Sequence, residues 1–184
     1  LRDSTTKEKN RMRLTVTEDI YLEFLQEKDS QELFYLIEDN RPLLEKYLYW
    51  AKSVQDMEST KQYICQRIYS KHNGSAWYKI IFNDQLSGII GVKEIDQKNK
   101  SAEIGYWLSA HCQGKGVMAK VVTRICEELK RQAGVAQIKI HCLSENTASI
   151  AVARRAGGIH SSTIPAYLTI DGKSQDLMIY TVAL

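Results

Sequence analysis

The stretch that decides the fold is Glu103-Ile104-Gly105-Tyr106-Trp107-Leu108-Ser109-Ala110-His111-Cys112-Gln113-Gly114-Lys115-Gly116-Val117-Met118. It reads as a strand, a short link and a glycine-rich turn that runs straight into a helix. Val117, Val121, Val122, Ile125 and Leu129 supply the helix signal, being apolar at helical spacing. A helix start leaves its first N–H groups without intrahelical partners and carries the positive end of the helix dipole. Gly114 and Gly116 keep side chains away from those groups, and Lys115 adds a positive charge. The turn is therefore an anion cradle of the kind that suits a pyrophosphate.

Two nucleotide-binding readings fail on context. Gly114-Lys115-Gly116-Val117-Met118-Ala119 matches the dinucleotide pattern G-x-G-x-x-A, which calls for an acidic residue about 20 positions further on. The corresponding segment, Ala133 to Cys142, contains no Asp or Glu. A P-loop needs Gly-Lys followed by Ser or Thr, and Lys115 is followed by Gly116. A plain strand-to-helix turn without a ligand stays open on turn chemistry alone.

Outward from this segment the chain reads as α/β. Leu14 and Val16, then Ile20, Leu22 and Phe24, alternate as an N-terminal hairpin or two short strands. Asp29 with Glu32 predicts a capping box for a first helix, and Asn40-Arg41-Pro42 predicts a restart into a second carrying Leu43, Leu44, Tyr47 and Leu48. A third helix is expected from Asp56 to His72, stopping at Asn73-Gly74. Period two then takes over in Trp77–Phe82, Leu86–Ile95 and Ser101–Leu108. After the cradle helix, Ile138, Ile140 and Cys142 mark another strand. Asn146 caps a helix that ends at Gly157-Gly158, and Asp171-Gly172 is a hairpin signal between the last two strands. Residues 1–11 are polar and charged and are expected to form a flexible arm, with 12–184 as one domain.

Composition narrows the function classes. Hydrophobic residues make up 43% and charged residues 26%, an ordinary globular balance rather than that of a disordered chain. No apolar run approaches the roughly 18 residues that a membrane span needs. A net charge of +3 suits a polyanionic cofactor but is too weak to argue for nucleic acid. Cys65, Cys112, Cys126 and Cys142 lie far apart, which argues against a disulfide framework or a zinc site and suits a reducing cytoplasm. His111-Cys112 and His141-Cys142 can each offer at most one ligand to a common metal, since neighbours on extended chain face opposite ways. No metal is expected.

Gln113-Gly114-Lys115-Gly116-Val117-Met118 resembles the Q/R-x-x-G-x-G/A signature of the GNAT N-acetyltransferase superfamily, with Met118 where Gly or Ala is commoner. Lys100–Leu108 and Asn146–Arg155 resemble its RimJ/RimL branch, which acetylates the N-termini of ribosomal proteins. Tyr167–Lys173, followed by Asp176 and Tyr180, is similar too. The resemblance implies a mixed, mostly antiparallel sheet flanked by helices and splayed between the strands at 101–109 and 137–143. It implies acetyl-CoA as co-substrate, with the pantetheine arm in that gap. Gln113 through Met118 would hold the pyrophosphate, Trp107 and Leu108 would offer main-chain contacts, and Asn146 would touch the arm besides capping its helix.

The resemblance also nominates chemistry. Many members use a Tyr as the thiolate's partner, but the equivalent position here is Ala153, and the RimL-like branch carries a Ser where Ser149 stands. Ser149 is the expected thiolate partner; a Ser three residues past a cap can also simply bond backbone. Glu103, ten residues before Gln113, is the expected base, with Glu94 in reserve. A bland solvated role for Glu103 stays open, and His111 reads as a surface residue. The implied acceptor is a protein N-terminus. A small-molecule amine or a non-catalytic acyl-CoA-binding module are the alternatives, and self-association into a homodimer is left open.

Overall fold

The computed structural model describes residues 13–184; the expected arm at 1–11 lies outside them. Eight strands form one sheet: β1 Arg13–Thr15, β2 Ile20–Phe24, β3 Ala76–Phe82, β4 Gln85–Asp96, β5 Ser101–Leu108, β6 Gln137–Leu143, β7 Ile159–Ile170 and β8 Lys173–Ala183. Their spatial order is β1-β2-β3-β4-β5-β6-β8-β7. Every pairing is antiparallel except β5–β6. A parallel pair needs a crossover, here supplied by helix α3, Val117–Ala133. The other helices are α1 Ser30–Glu45, α2 Met57–Ile68 and α4 Thr147–Arg155.

Strand alternation sends side chains to opposite faces, and both faces of the central strands are buried. Ile80, Ile90, Val92, Ile104 and Ile140 pack with Val117, Val121, Val122 and Ile125 of α3. Ile81, Ile89 and Trp107 pack on the other side with Leu33, Ile37 and Leu44 of α1 and Ile64 of α2. The cradle helix is closed by Gly134, in the left-handed region at φ 61, with the N–H of Val135 reaching back to the carbonyl of Leu129. At the last hairpin, Asp171 and Gly172 take positive φ as the two-residue turn requires.

Three helix expectations need correction. Pro42 does not start a new helix; it lies inside α1. The Arg41 guanidinium secures this region by donating to the carbonyl oxygens of Ala51 (2.9 Å) and Val54 (2.6 Å) and pairing with Glu38 and Glu45. Burial of Leu33, Ile37, Asn40 and Leu44 on one stripe holds the helix through the missing N–H. Asp29 caps no helix with Glu32. Its Oδ2 instead accepts from the Gln26 N–H at 2.7 Å, and its Oδ1 accepts from Lys79 Nζ at 2.9 Å in the sheet. The third helix starts after Asp56, whose side chain accepts from the Ser59 N–H, but it ends at Ile68, short of Asn73-Gly74.

Lys79 and Asp29 are 7% and 5% exposed, so their pairing is a buried one. Removing one partner of a buried pair costs more than the pair contributes, because the other charge is stranded. Asp29→Ala should destabilise the protein by about 3 kcal/mol, the low end of that range because Glu23 stays 3.4 Å from Lys79 Nζ. Urea denaturation measures it, and a loss below about 1 kcal/mol would show that Glu23 alone suffices.

Candidate active site

The link from β5 to the cradle is anchored on α1. Asn40, 6% exposed on α1, accepts the Ala110 N–H at 2.8 Å and donates to the Leu36 carbonyl at 2.8 Å. The link behind it is short and tied down. Ser109 N–H donates to the Ser87 carbonyl, Cys112 N–H to the Ser109 carbonyl, and Gln113 Nε2 to the Leu108 carbonyl at 3.2 Å. Gly114 and Gly116 then take φ 75 and φ 74, conformations costly for any other residue. Among the described residues, the backbone N–H groups of Gly114 through Ala119 have no protein acceptor. This run of unpaired donors at a helix start, with open space beside both glycines, fits a pyrophosphate. Lys115 is exposed and extends toward the Phe82 ring, Nζ 5.9 Å from its centroid.

Beside the cradle the sheet opens. β5 and β6 pair only from Ser101↔Gln137 to Ile104↔Ile140, although β5 continues to Leu108 and β6 to Leu143. Tyr106 crosses the gap: its hydroxyl donates to the Ser149 carbonyl at 3.1 Å, and Ser149 Oγ lies 3.4 Å from that phenol. Ser149 Oγ also lies 3.1 Å from Cys142 Sγ. Burial pushes the Tyr106 phenol far above its ordinary pKa and the Cys142 thiol up as well. Asn146 accepts the Ser149 N–H at 3.2 Å through its side-chain oxygen, so the cap is made.

Two cavities meet here. One, of about 310 Å³, runs under the cradle and is lined by Gln113, Gly114, Gly116, Met118 and Val152 together with Leu44 of α1. The other, of about 460 Å³, holds Glu103, Lys93 and His141 and is walled by Trp50, Tyr63 and Trp77. Tyr47, Leu48, Tyr106, Trp107, Asn146 and Ser149 line both. Glu103 Oε1 accepts from Lys93 Nζ at 2.7 Å and lies 3.4 Å from His141 Nδ1, while no partner of Oε2 lies among the described residues. Burial pushes the His141 pKa down, against the opposing pull of Glu103, so the ring is mostly neutral at pH 7.

The sequence profile of the Acetyltransferase (GNAT) domain matches residues 19–159. The chain belongs to the GNAT acetyltransferase family. It is 28% identical over 168 residues to the ribosomal-protein-serine acetyltransferase of Escherichia coli (strain K12), covering 91% of this chain and 94% of that one. The structure of RimL, a ribosomal-protein α-N-acetyltransferase in complex with coenzyme A, superposes with a TM-score of 0.86 at 24% identity, covering 94% of this chain and 98% of that chain. The microcin C7 self-immunity acetyltransferase MccE, in complex with acetyl-CoA and AMP, gives 0.84 at 28% identity, covering 93% and 98%.

Within this GNAT chain, the residues singled out from sequence divide by place. Gln113, Gly114, Gly116, Val117, Met118, Trp107, Leu108, Asn146 and Ser149 line the cradle-side cavity; Lys115 does not. The Trp107 and Leu108 side chains are buried in opposite cores, which leaves their main chain at the gap. Glu103 lines the second cavity. Glu94 does not: its side chain is 57% exposed, 3.9 Å from His72. A bulge between Val92 and Glu94 makes Lys93 the extra residue of β4, and Lys93, not Glu94, carries the contact to Glu103. Ala153, at the position where many members carry the tyrosine, is fully buried. The phenol of this site, Tyr106, escaped the sequence reading. Its signal was the alternation that buries Trp107 and so turns Tyr106 to the other face. The aromatic wall from Trp50, Tyr63 and Trp77 comes from separate elements and had no local signal.

Proposed function

We propose that the chain transfers the acetyl group of acetyl-CoA directly to the N-terminal α-amine of a protein, with ribosomal proteins as the leading acceptors. One observation carries this: a cavity under an anion cradle and a cavity holding a carboxylate open onto the same five polar or aromatic residues, Tyr47, Tyr106, Trp107, Asn146 and Ser149. The names of the relatives support the acceptor class, which would place the protein with ribosomes in the cytoplasm.

Acetyl-CoA supplies the thioester, whose acyl carbon takes the amine and whose sulfur leaves. Gln113 through Met118 hold the pyrophosphate by main-chain N–H groups, and Asn146 keeps its amide NH2 for the arm after its oxygen has capped α4. Ser149 Oγ donates a hydrogen bond to the leaving sulfur. Tyr106 stays protonated and holds α4 against β5 through the Ser149 carbonyl. Glu103 Oε2 takes the proton of the amine, directly or through a water. A terminal amine, with a pKa of about 7.7–8.0, is about 10–15% neutral at pH 7, against about one in 2,500 for lysine near 10.4. A site with one carboxylate base suits the terminal amine better.

Turnover with a panel of N-terminal peptides and free small amines tests this. Thiol release with peptides is the expected result; release only with free amines would favour the small-molecule reading that the MccE likeness raises. Binding of acetyl-CoA with no thiol release under any amine would make the chain a binding module. Within the site, Ser149→Ala should lower kcat about 10–100-fold while cofactor Kd changes little, because the hydrogen bond to sulfur strengthens as charge develops. A variant that instead loses cofactor binding, or loses nothing, would return Ser149 to packing between Asn146 and Cys142.

A further inference from the structure

Arg67, on α2, is a cation in the second cavity that the chemistry above does not use. Its guanidinium carbon stands 3.4 Å from the Tyr63 ring centroid, 4.9 Å from that of Trp77 and 5.6 Å from that of Trp50. Nη1 donates to the Tyr63 carbonyl at 3.0 Å. Nε is buried and has no hydrogen-bond partner. Among the described residues no carboxylate lies within salt-bridge reach, whereas the cavity's other cation, Lys93, is paired with Glu103. Burial pushes the guanidinium pKa down, the mark of a charge short of compensation.

Arg67 is half-buried with its Nε fully enclosed, and a guanidinium partly withdrawn from water without an anion is costly unless something supplies one. Aromatic faces compensate part of the charge and hold the group in place, but they offer no acceptor to Nε or Nη2. The cavity therefore carries one unpaired positive charge within reach of the gap. Tyr63 and Trp50 join it to β5: their rings lie 4.4 Å apart, Trp50 is 6.0 Å from Trp107, and Trp107 Nε1 lies 3.4 Å from the Tyr63 hydroxyl. A planar guanidinium fixed at a distance from the reacting groups is suited to reading a carboxylate.

We propose that Arg67 selects the acceptor: the favoured substrate is a protein N-terminus with an Asp or Glu side chain among its first few residues, whose carboxylate pairs with the Arg67 guanidinium. This rests on the acceptor reading above and deepens it. Arg67 is a specificity residue here, since it touches the substrate but not the reacting atoms.

The test is kcat/KM for acetyl transfer to a series of N-terminal hexapeptides in which Asp is walked through positions one to four, each beside its Asn counterpart. The wild type should prefer the best Asp peptide over its Asn counterpart by about tenfold or more, the size of one charge-assisted hydrogen-bond pair. In Arg67→Gln that ratio should fall to near one, and Arg67→Lys should give an intermediate value. A purely structural Arg67 would lower both rates together and leave the ratio intact, which would overturn the proposal. So would a wild type that does not discriminate Asp from Asn at any position while still acetylating peptides; that result leaves the acceptor reading standing. No acetylation of any peptide would overturn both. Free aspartate and glutamate form a further arm, and a preference for them over every peptide would overturn the peptide assignment. Circular dichroism and thermal melts confirm that both variants fold.

Discussion

Gly116→Val should lower acetyl-CoA affinity by about 100-fold or more, or about 2.7 kcal/mol. Gly116 sits at φ 74 as the residue before α3, with no atom within 4 Å of an added Cβ. The apo protein therefore has room for the side chain; what it lacks is a backbone conformation that tolerates one. A β-branched residue in the left-handed region costs about 1–2 kcal/mol and, if it relaxes, re-aims the N–H groups of the cradle. Its methyl groups would also enter the open space beside the turn. Strain alone lowers stability, so Gly134→Val is the matched control. Gly134 closes the far end of the same helix at φ 61, again with open space around it. Both variants should melt earlier by a similar amount, and only Gly116→Val should lose affinity in calorimetry. Equal affinities would remove the cradle from the binding site.

Glu103→Gln should reduce kcat/KM by about 100–1,000-fold at pH 6 and progressively less as the pH rises past the pKa of the acceptor amine. The amine is mostly charged at low pH and depends on a base; above its own pKa it arrives neutral. For a terminal amine that recovery falls near pH 8, and for a lysine beyond pH 10, so one profile reports both the base and the kind of amine. The geometry makes the substitution informative. Oε1 is committed to Lys93 and the side of His141, so Gln can keep the Lys93 contact through its oxygen and lose only the basic Oε2. Profiles from pH 6 to 9.5 that run parallel would mean that Glu103 positions the acceptor. His141 is then the next group to vary, because it shares the cavity and burial pushes its pKa down, which favours the neutral ring.

Most of the fold was legible because local patterning and tertiary burial agree. The period-two runs of β3, β4 and β5 place alternate residues in two separate cores, and the stripe of α3 from Val117 to Leu129 is buried along its length. Misreadings fell where a distant partner outvoted a local signal. Pro42 ordinarily breaks a helix, but the stripe from Leu33 to Leu44 is buried and Arg41 ties the region to Ala51 and Val54. Asp29 and Glu32 have capping-box spacing, but the Asp29 carboxylate is taken by Lys79, fifty residues away in the sheet.

The same division runs through the site. The glycine turn with its unpaired N–H groups was readable along the chain, since a strand, two glycines and a helix start are contiguous and those groups belong to the main chain. It also determined the Asn146 cap with Ser149 three residues on, because that geometry is local to one helical turn. Only the tertiary structure decided what stands opposite them. Whether Glu103 or Glu94 enters the cavity depends on a bulge at Lys93, and a one-residue shift of register changes which side chain turns inward. Tyr106 meets Ser149 across forty-three residues because β5 and β6 stop pairing after Ile104 and Ile140. Arg67 becomes a half-buried cation among aromatic rings because α2, the segment at Trp50 and β3 converge on one face of the sheet. Backbone chemistry is carried by neighbours in the chain and can be read there; side-chain chemistry at this site is carried by neighbours in space.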